Sequence, residues 1–230
     1  FIENMFVMEV DEREYGVKPM NCPAAALIYA SETHSYRDLP LRLADFGRLH
    51  RYERSGTLAG LFRVRSLVQD DAHIYCRVDQ IGQEVQGFIS MLRESYTVFG
   101  FNEARYKLSL RPEKRMGSDE IWDRAEAALE SVLTGLGVDF EKAPGEGAFY
   151  GPKIDIFVPD AIDREWQLGT VQLDFNQAER FDLDYQAEDG SRQRPVVIHR
   201  AMLGSLERFL GVYIEHVAAA FPVWLSPVQA

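Results

Sequence analysis

The chain has 230 residues, of which 46% are hydrophobic and 27% are charged, a composition typical of a folded protein with one large α/β domain or two small ones. The net charge of −11 argues against a domain that holds nucleic acid on its own, because such domains carry a basic face. No apolar run approaches the roughly 18 residues that a membrane-spanning helix needs, and no signal peptide opens the sequence. The two cysteines fit reduced thiols better than a disulfide, so we expect a cytoplasmic protein without a membrane contact.

Hydrophobic periodicity and turn residues predict the elements of the first hundred residues. Pro23 suits the first turn of a helix, and apolar residues recur at helical spacing from residue 81 to residue 99. The predicted elements are, in chain order, a strand pair over 5–10 and 15–18, a helix over 24–31, antiparallel strands over 43–52 and 60–68 joined by a loop over 54–57, and an amphipathic helix over 79–99.

The second half of the sequence alternates further strands with two helices. Ser118 is a typical helix N-cap, whereas Gly135 and Gly137 are typical of a helix end. The predicted elements are a strand over 106–110, a helix from Ser118 through Leu133, strands over 148–158, 166–175 and 196–199, and a helix over 203–221 that Pro222 breaks. Strands outnumber helices and are mostly joined as hairpins, which predicts a mixed, largely antiparallel sheet in a single domain over residues 1–230.

Six blocks of sequence, spread over nearly the whole chain, resemble the catalytic domain of threonyl-tRNA synthetase. They are KPMNCP at 18–23, SYRDLPLR at 35–42, QDDAHI at 69–74, GEGAFYGPK at 145–153, GTVQLDF at 169–175 and HRAMLGSLERF at 199–209. The resemblance implies an α+β fold of the class II aminoacyl-tRNA synthetase type, in which helices flank a mostly antiparallel sheet. It also implies a threonine–tRNA ligase, which activates threonine with ATP and transfers it to tRNA(Thr).

The resemblance implies that Cys22, His73 and His199 bind one zinc ion and leave its fourth position open. The amino and hydroxyl groups of threonine would fill the open coordination, and Asp71 would accept a hydrogen bond from that hydroxyl. Such a site rejects valine, which has no hydroxyl, better than an apolar pocket does. The remaining histidines and the second cysteine lack such a context and are expected to be structural: His34, His50, His216 and Cys76, which should face away from the ligands.

The segment from 46 to 65 resembles the class II motif 2. The resemblance implies that Arg51 holds the α-phosphate of ATP and that Glu53 reads the adenine amino group, both from the first strand. It further implies that Arg63, on the second strand, assists the triphosphate, and that Arg208, in the final helix, contacts the γ-phosphate. Guanidinium groups suit this role because they bind phosphate oxygens bidentately. Mg²⁺ would bridge the phosphates.

The remaining pocket residues also follow from the resemblance. Gln167 and Thr170 are expected to bind ATP, although strand alternation places them on opposite faces unless the strand bulges at Gly169. The expected substrate-binding residues are Met20, Gln69, Asp71, Tyr150, Lys153, Gln172 and Ser205. No protein nucleophile or general base is expected, because the carboxylate of threonine itself attacks ATP.

The sequence departs from the family pattern at three places. Ala24 and Ala25 follow Pro23 where Gly-His is usual, Ala59 replaces a customary histidine, and Leu67 replaces a phenylalanine that stacks on adenine. An alternative is therefore a synthetase-like protein that binds threonine or a related ligand without charging tRNA. Segments matching motif 1, the editing domain and the anticodon-binding domain are absent from these 230 residues, so homodimerisation and tRNA binding are expected of the full-length protein.

Overall fold

A seven-stranded sheet organises the chain in this computed structural model, which describes residues 2–160 and 162–229. The strands are β1 (Val7–Val10), β2 (Arg13–Gly16), β3 (Leu41–His50), β4 (Ser66–Cys76), β5 (Arg105–Ser109), β6 (Phe140–Ala143), β7 (Lys153–Pro159), β8 (Glu165–Asp174), β9 (Tyr185–Gln186), β10 (Arg192–Gln193) and β11 (Val196–Ala201). The α-helices are α1 (Cys22–Ala30), α2 (Ile81–Val98), α3 (Asp119–Gly135), α4 (Gln177–Arg180) and α5 (Leu206–His216).

The order of strands in the large sheet is β3-β4-β11-β8-β7-β5-β6, and each neighbouring pair is antiparallel except β5 and β6. Two small hairpins, β1–β2 and β9–β10, lie outside it. The predicted mixed, largely antiparallel sheet is therefore confirmed. Strand β11 comes last in the sequence but lies between β4 and β8 in the sheet. It therefore brings residues from three distant segments together.

The two faces of the sheet differ in chemistry. One face packs against α2, α3 and α5, and alternate strand residues such as Ile74, Ile154 and Ile198 are buried there with the apolar stripes of the helices. The opposite face carries polar side chains along the same strands, and only one end of it is covered by α1 and a smaller apolar cluster around Tyr29 and Tyr75. The polar remainder of this face is where the functional residues lie.

The structure corrects several predicted boundaries. The strand predicted over 43–52 ends at His50, so Arg51 and Glu53 lie just beyond it. The strand predicted over 60–68 is confirmed only for its last three residues, where β4 begins at Ser66. Residues 60–65 instead form a loop with a short bridge between Ala59 and Arg63. The loop ends stay paired because the Arg51 backbone N–H donates to the Arg65 carbonyl at 2.9 Å.

Helix predictions were closer to the structure. The helices predicted over 79–99 and from Ser118 onward are confirmed as α2 and α3, and Gly137, with a φ of 61°, ends α3. The final helix is shorter than predicted, because Ser205 caps its start and it ends at His216. Strand β6 and the β9–β10 hairpin were not predicted. Within residues 2–160 and 162–229, no helix has the length and apolar character needed to cross a membrane.

Candidate active-site cleft

A cleft of about 780 Å³ opens on the polar face of the sheet. Of the sixteen residues that the sequence predicts for the site, fourteen line this cleft: Met20, Cys22, Arg51, Glu53, Arg63, Gln69, Asp71, Tyr150, Gln167, Thr170, Gln172, His199, Ser205 and Arg208. The other two are His73, which is buried next to Cys22 and His199, and Lys153, whose ammonium pairs with Asp155 on β7. Residues that span most of the sequence thus converge on one cavity.

Cys22, His73 and His199 form a compact cluster at one end of the cleft. Their candidate ligand atoms all lie within 4.8 Å of one another, and the Cys22 Sγ is 3.6 Å from the His199 Nδ1. His73 and His199 are directly paired across β4 and β11, whereas Cys22 is the first residue of α1. A thiol and two imidazoles at this separation are a donor set that suits a tetrahedral zinc ion with one open position.

The surroundings of the two imidazoles also fit a metal ion. Burial lowers the pKa of His73 to about 3, so this imidazole is neutral, and its Nε2 is buried without a hydrogen-bond partner. The Nε2 of His199 lies 3.1 Å from the Asp174 Oδ2, which leaves its Nδ1 directed at the thiol. A metal-binding imidazole typically donates its other N–H to a carboxylate in this way.

The groups around His199 favour its protonated form when no metal ion is bound. Burial lowers the pKa of His199, but the Asp174 carboxylate and the Cys22 thiol outweigh it and raise the pKa to about 10. Because ligand atoms bind metals in their deprotonated forms, binding at this cluster would release protons.

Asp71 lies beside the cluster and faces the cleft. Asp71 is 8% exposed, and its carboxylate accepts a hydrogen bond of 3.2 Å from the Asn21 side chain, which in turn accepts one of 2.9 Å from Lys18. Burial raises the pKa of Asp71 despite that hydrogen bond. The chain of contacts fixes the direction of the carboxylate toward the space next to the thiol and imidazoles.

Three arginines line the same cleft close to one another, each held by an acceptor. The Nε of Arg51 donates to the Pro19 carbonyl at 3.1 Å, Arg63 pairs with Glu53 at 2.9 Å, and Arg208 donates to the carbonyls of Phe62 and Gln167. Burial lowers the pKa of Arg208, and so do the charges of Arg63 and Arg51. Three guanidinium groups close enough to repel one another create a positive site that suits a polyanion such as a triphosphate.

Tyr150 and the β8 residues Gln167, Thr170 and Gln172 form the floor of the cleft. The ladder between β7 and β8 shifts register between Ile156 and Phe157, so Leu168 is an extra residue on β8. This bulge turns Gln167 to the same face as Thr170, and both side chains donate to Asp155, at 2.6 Å and 3.1 Å. The bulge considered at the sequence level is therefore present. Tyr150 donates to the Gln172 side chain, and burial raises its pKa.

The turn that carries Ser205 and the start of α5 is held by two carboxylates that sequence reasoning did not select. Asp70 accepts hydrogen bonds from the backbone N–H groups of Met202 and Leu203, the shortest at 2.8 Å. Glu207 accepts from the Val68 backbone at 3.0 Å. Ser205 accepts from the Arg208 N–H as the N-cap of α5.

Asp155 and Asp174 were also missed as functional residues. Asp174 is the last residue of β8, within the GTVQLDF block, and lies on the same face as Gln172, so strand alternation could have drawn attention to it. Asp155 gives no comparable signal, since a single aspartate in an apolar strand is visible as a site residue only once its partners are known.

The residues expected to be structural lie outside the cluster. Cys76 is fully buried in the core on the opposite face, as predicted, and burial raises its pKa to about 12. His34 contacts the Tyr29 carbonyl at 2.8 Å, and His216 packs against Phe101. His50 lies at the end of β3.

Comparison with known proteins gives a consistent result. A family model described as the tRNA synthetase class II core domain (G, H, P, S and T) matches residues 6–217. Threonine–tRNA ligases of Bdellovibrio bacteriovorus and Methylobacillus flagellatus are 56% and 58% identical over 99% of the chain, which spans 35% and 36% of their lengths.

Solved structures agree with these relatives. A structure described as the RNA binding domain of threonyl-tRNA synthetase from Cryptosporidium parvum superposes with a TM-score of 0.94 at 50% identity, covering 98% of this chain and 56% of that one. A prolyl-tRNA synthetase of Giardia lamblia, at 16% identity, covers 94% of this chain and 38% of that one with a TM-score of 0.62, and so shares the fold alone.

Proposed function

The chain belongs to the class II tRNA synthetase core family, and we propose that it is the catalytic core of a cytoplasmic threonine–tRNA ligase, which activates threonine with ATP and transfers it to tRNA(Thr). The resemblance to threonyl-tRNA synthetases and the α+β class II fold, both predicted from the sequence, are confirmed. One observation carries the proposal: Cys22 and His199 of the thiol–imidazole cluster and the three arginines line the same cleft. An amino acid and a nucleotide can therefore meet over the β8 floor.

Zinc is the metal that we propose for Cys22, His73 and His199. Support comes from the orphaned Nε2 of His73 and from Asp174, which orients His199. When bound, zinc would act as a Lewis acid toward the amino and hydroxyl groups of threonine. Such a requirement for two donor atoms distinguishes threonine from valine of nearly the same shape.

The neighbouring side chains would orient threonine. Asp71 accepts a hydrogen bond from the substrate hydroxyl, and its own position is fixed by Asn21. Gln69, Tyr150 and Gln172 line the space between this point and the nucleotide, while Met20 closes one side of it. Lys153 would contribute through its ion pair with Asp155, because it does not line the cleft. The hydroxyl of Ser205 already caps α5, so any ligand contact there would be additional.

We propose that the arginines bind ATP. The carboxylate oxygen of threonine attacks the α-phosphorus, a mixed anhydride forms, and the bond to pyrophosphate breaks. Arg51 would stabilise charge at the α-phosphate, and Arg63 and Arg208 the departing pyrophosphate. Mg²⁺ accompanies ATP in class II synthetases and would share this charge. Glu53, beside Arg63, would accept from the adenine amino group, and Gln167 and Thr170 would hold the nucleoside.

In this proposal, tRNA(Thr) and a second copy of the protein bind to the full-length protein. A homodimer is supported by the β1–β2 hairpin, one face of which carries Met8, Val10 and Tyr15, 47–50% exposed, as an apolar surface suited to a second copy. The departures at Ala25, Ala59 and Leu67 favour the alternative, a protein that binds threonine without charging tRNA.

Threonine-dependent exchange between ATP and pyrophosphate tests the proposal. We expect exchange with threonine, weaker exchange with serine, since a missing methyl group costs roughly 1–3 kcal/mol, and none with valine. Calorimetry that shows threonine binding without any exchange would favour the alternative. Valine bound as tightly as threonine would contradict recognition through a metal-bound hydroxyl.

A further inference from the structure

We propose that Asp155 is a positioning residue that determines which atoms of Gln167 and Thr170 face the nucleotide. The inference rests on the proposed function, since it concerns the nucleotide end of the same cleft. Asp155 lies on β7, its side chain is buried, and it does not line the cleft. Any effect on a ligand must therefore pass through the residues that it contacts.

The carboxylate of Asp155 contacts four donor side chains that lie on three strands. Its Oδ1 accepts from the Gln167 Nε2 at 2.6 Å and from the Thr170 Oγ1 at 3.1 Å, both on β8. Its Oδ2 accepts from the Ser109 Oγ of β5 at 3.1 Å and pairs with the Lys153 ammonium of β7. The Oδ1 thus contacts residues of the cleft floor, while the Oδ2 holds the carboxylate in place within the sheet.

The chemistry of a carboxylate fixes the orientation of its partners. An ionised carboxylate only accepts hydrogen bonds, so Gln167 must turn its NH₂ group, and Thr170 its O–H, toward Asp155. The Thr170 hydroxyl oxygen also accepts from the Gln172 Nε2 at 3.4 Å. The atoms left for a ligand are therefore the Gln167 Oε1 and the remaining lone pair of the Thr170 hydroxyl, and both are acceptors. This part of the floor therefore suits ligand groups that donate.

ATP offers such donors at its sugar. The phosphate oxygens only accept and match the guanidinium end of the cleft, whereas the ribose hydroxyls can donate to Gln167 and Thr170. The β8 bulge adds to this arrangement, because without it Gln167 would point to the opposite face. Asp155 thereby makes the floor selective for a nucleotide with intact sugar hydroxyls.

The substitution Asp155→Asn tests this role, because the new amide can donate to Gln167 and let it reverse. We expect the KM for ATP in the exchange assay to rise about tenfold, the cost of one misplaced hydrogen bond. The preference for ATP over 2′-deoxy-ATP or 3′-deoxy-ATP should fall by a similar factor. The KM for threonine should rise less than the KM for ATP, since only the Lys153–Asp155 ion pair links this carboxylate to the threonine site, and the zinc content should stay within about twofold of the unmodified protein.

The matched control is Asp160→Asn. Asp160 is also a buried carboxylate that holds an arginine and a neutral donor, but its partners, Arg164 and Trp166, lie outside the cleft. This variant should keep the ATP preference of the unmodified protein. A loss equal to that of Asp155→Asn would show a general effect of removing a buried charge and would overturn the proposal.

A measurement on the unmodified protein covers the case in which Asp155→Asn does not fold. With ¹⁵N-labelled glutamine, the side-chain NH₂ signal of Gln167, assigned with Gln167→Met, should exchange slowly with solvent and persist when an ATP analogue binds. An unprotected Gln167 amide, or equal binding of ATP and both deoxynucleotides, would overturn the proposal. Absence of threonine-dependent exchange would instead overturn the proposed function, and nucleotide calorimetry would still decide the role of Asp155.

Discussion

Cys22 provides the thiol of the cleft, whereas Cys76 lies on the opposite face of the sheet. The variant Cys22→Ser should lose most of the zinc that we propose, and its KM for threonine should rise at least about 100-fold, because a hydroxyl is a poor zinc ligand. Metal analysis and the exchange assay measure both effects. Cys76→Ser is the control and should keep its zinc with a stability loss of about 1 kcal/mol. Zinc retained in full by Cys22→Ser would remove this residue from the site.

Leu67 lines the cleft, at a position where the family resemblance implies a phenylalanine. The variant Leu67→Phe should lower the KM for ATP about three- to tenfold, since an aromatic ring stacked on adenine contributes roughly 1 kcal/mol. Leu58→Phe, on the loop before β4 and outside the cleft, should have no effect. A KM for ATP that stays constant or rises in Leu67→Phe would mean that adenine binds away from this side chain.

Single residues were predictable to different degrees. Cys22, His73 and His199 are separated by up to 177 positions, and no spacing rule groups them, so only the family resemblance did so. Gln167 reaches the cleft only because β8 bulges. Strand alternation indicates that a bulge is needed there, but it does not give the position of the bulge. Asp155 stayed invisible because its role depends on four partners that only the register of three strands brings together.

At the scale of elements, the turn between β11 and α5 connects the metal cluster to the arginine end. Asp70, beside Asp71 on β4, accepts two backbone N–H groups of this turn, and the Tyr96 hydroxyl donates to the Met202 carbonyl at 2.8 Å. Arg208 follows within the first turn of α5. The position of its guanidinium therefore depends on a strand that also carries His73.

The variant Asp70→Asn should weaken this turn. We expect a stability loss of about 1–3 kcal/mol and a kcat about tenfold lower, because one backbone donor is left without a strong acceptor and Arg208 loses its fixed position. The KM for threonine should change less than kcat. Thermal melting and exchange kinetics measure these effects, with Asp79→Asn, an exposed carboxylate, as the control. A loss of stability without any change in kcat would separate the turn from catalysis.

Helices were predicted better than strands for a physical reason. Helices α2 and α3 bury one apolar stripe against the sheet, so their period is visible in the sequence. The segment from 60 to 65 instead uses its arginines in contacts across a loop, including the Arg65 Nε, which donates to the Glu53 carbonyl at 3.0 Å. Strand β6 has one buried residue in four and gives no alternation to detect.

At the scale of the whole molecule, strand order decides where chemistry occurs. Neither periodicity nor composition predicts that β11 inserts between β4 and β8, yet this insertion sets His199 beside both His73 and Gln172. The same order places the β8 floor next to β7 and hence next to Asp155. Only the resemblance to class II synthetases implied the arrangement of the strands, whereas hydrophobic patterning predicted individual helices and strands.

The two steps of the proposed reaction, adenylate formation and transfer to tRNA, differ in the charge that they require of the protein. Adenylate formation needs small ligands and the local positive charge of Arg51, Arg63 and Arg208, whereas tRNA binding needs an extended basic surface. The net charge of −11 opposes such a surface in this chain, which spans 35–36% of its curated relatives. We therefore expect the 230-residue protein to activate threonine but to charge tRNA(Thr) poorly at physiological salt.

Salt dependence makes this last expectation measurable. If weak phosphate contacts limit the transfer step, lowering the salt from about 200 to 50 mM should raise the rate of tRNA charging at least tenfold, because affinity for nucleic acid rises steeply as counterions are diluted. The rate of ATP–pyrophosphate exchange should change by no more than about twofold, since the nucleotide and threonine bind inside the cleft. Efficient, salt-independent charging by this chain at physiological salt would show that it carries its own tRNA-binding surface despite its acidic composition.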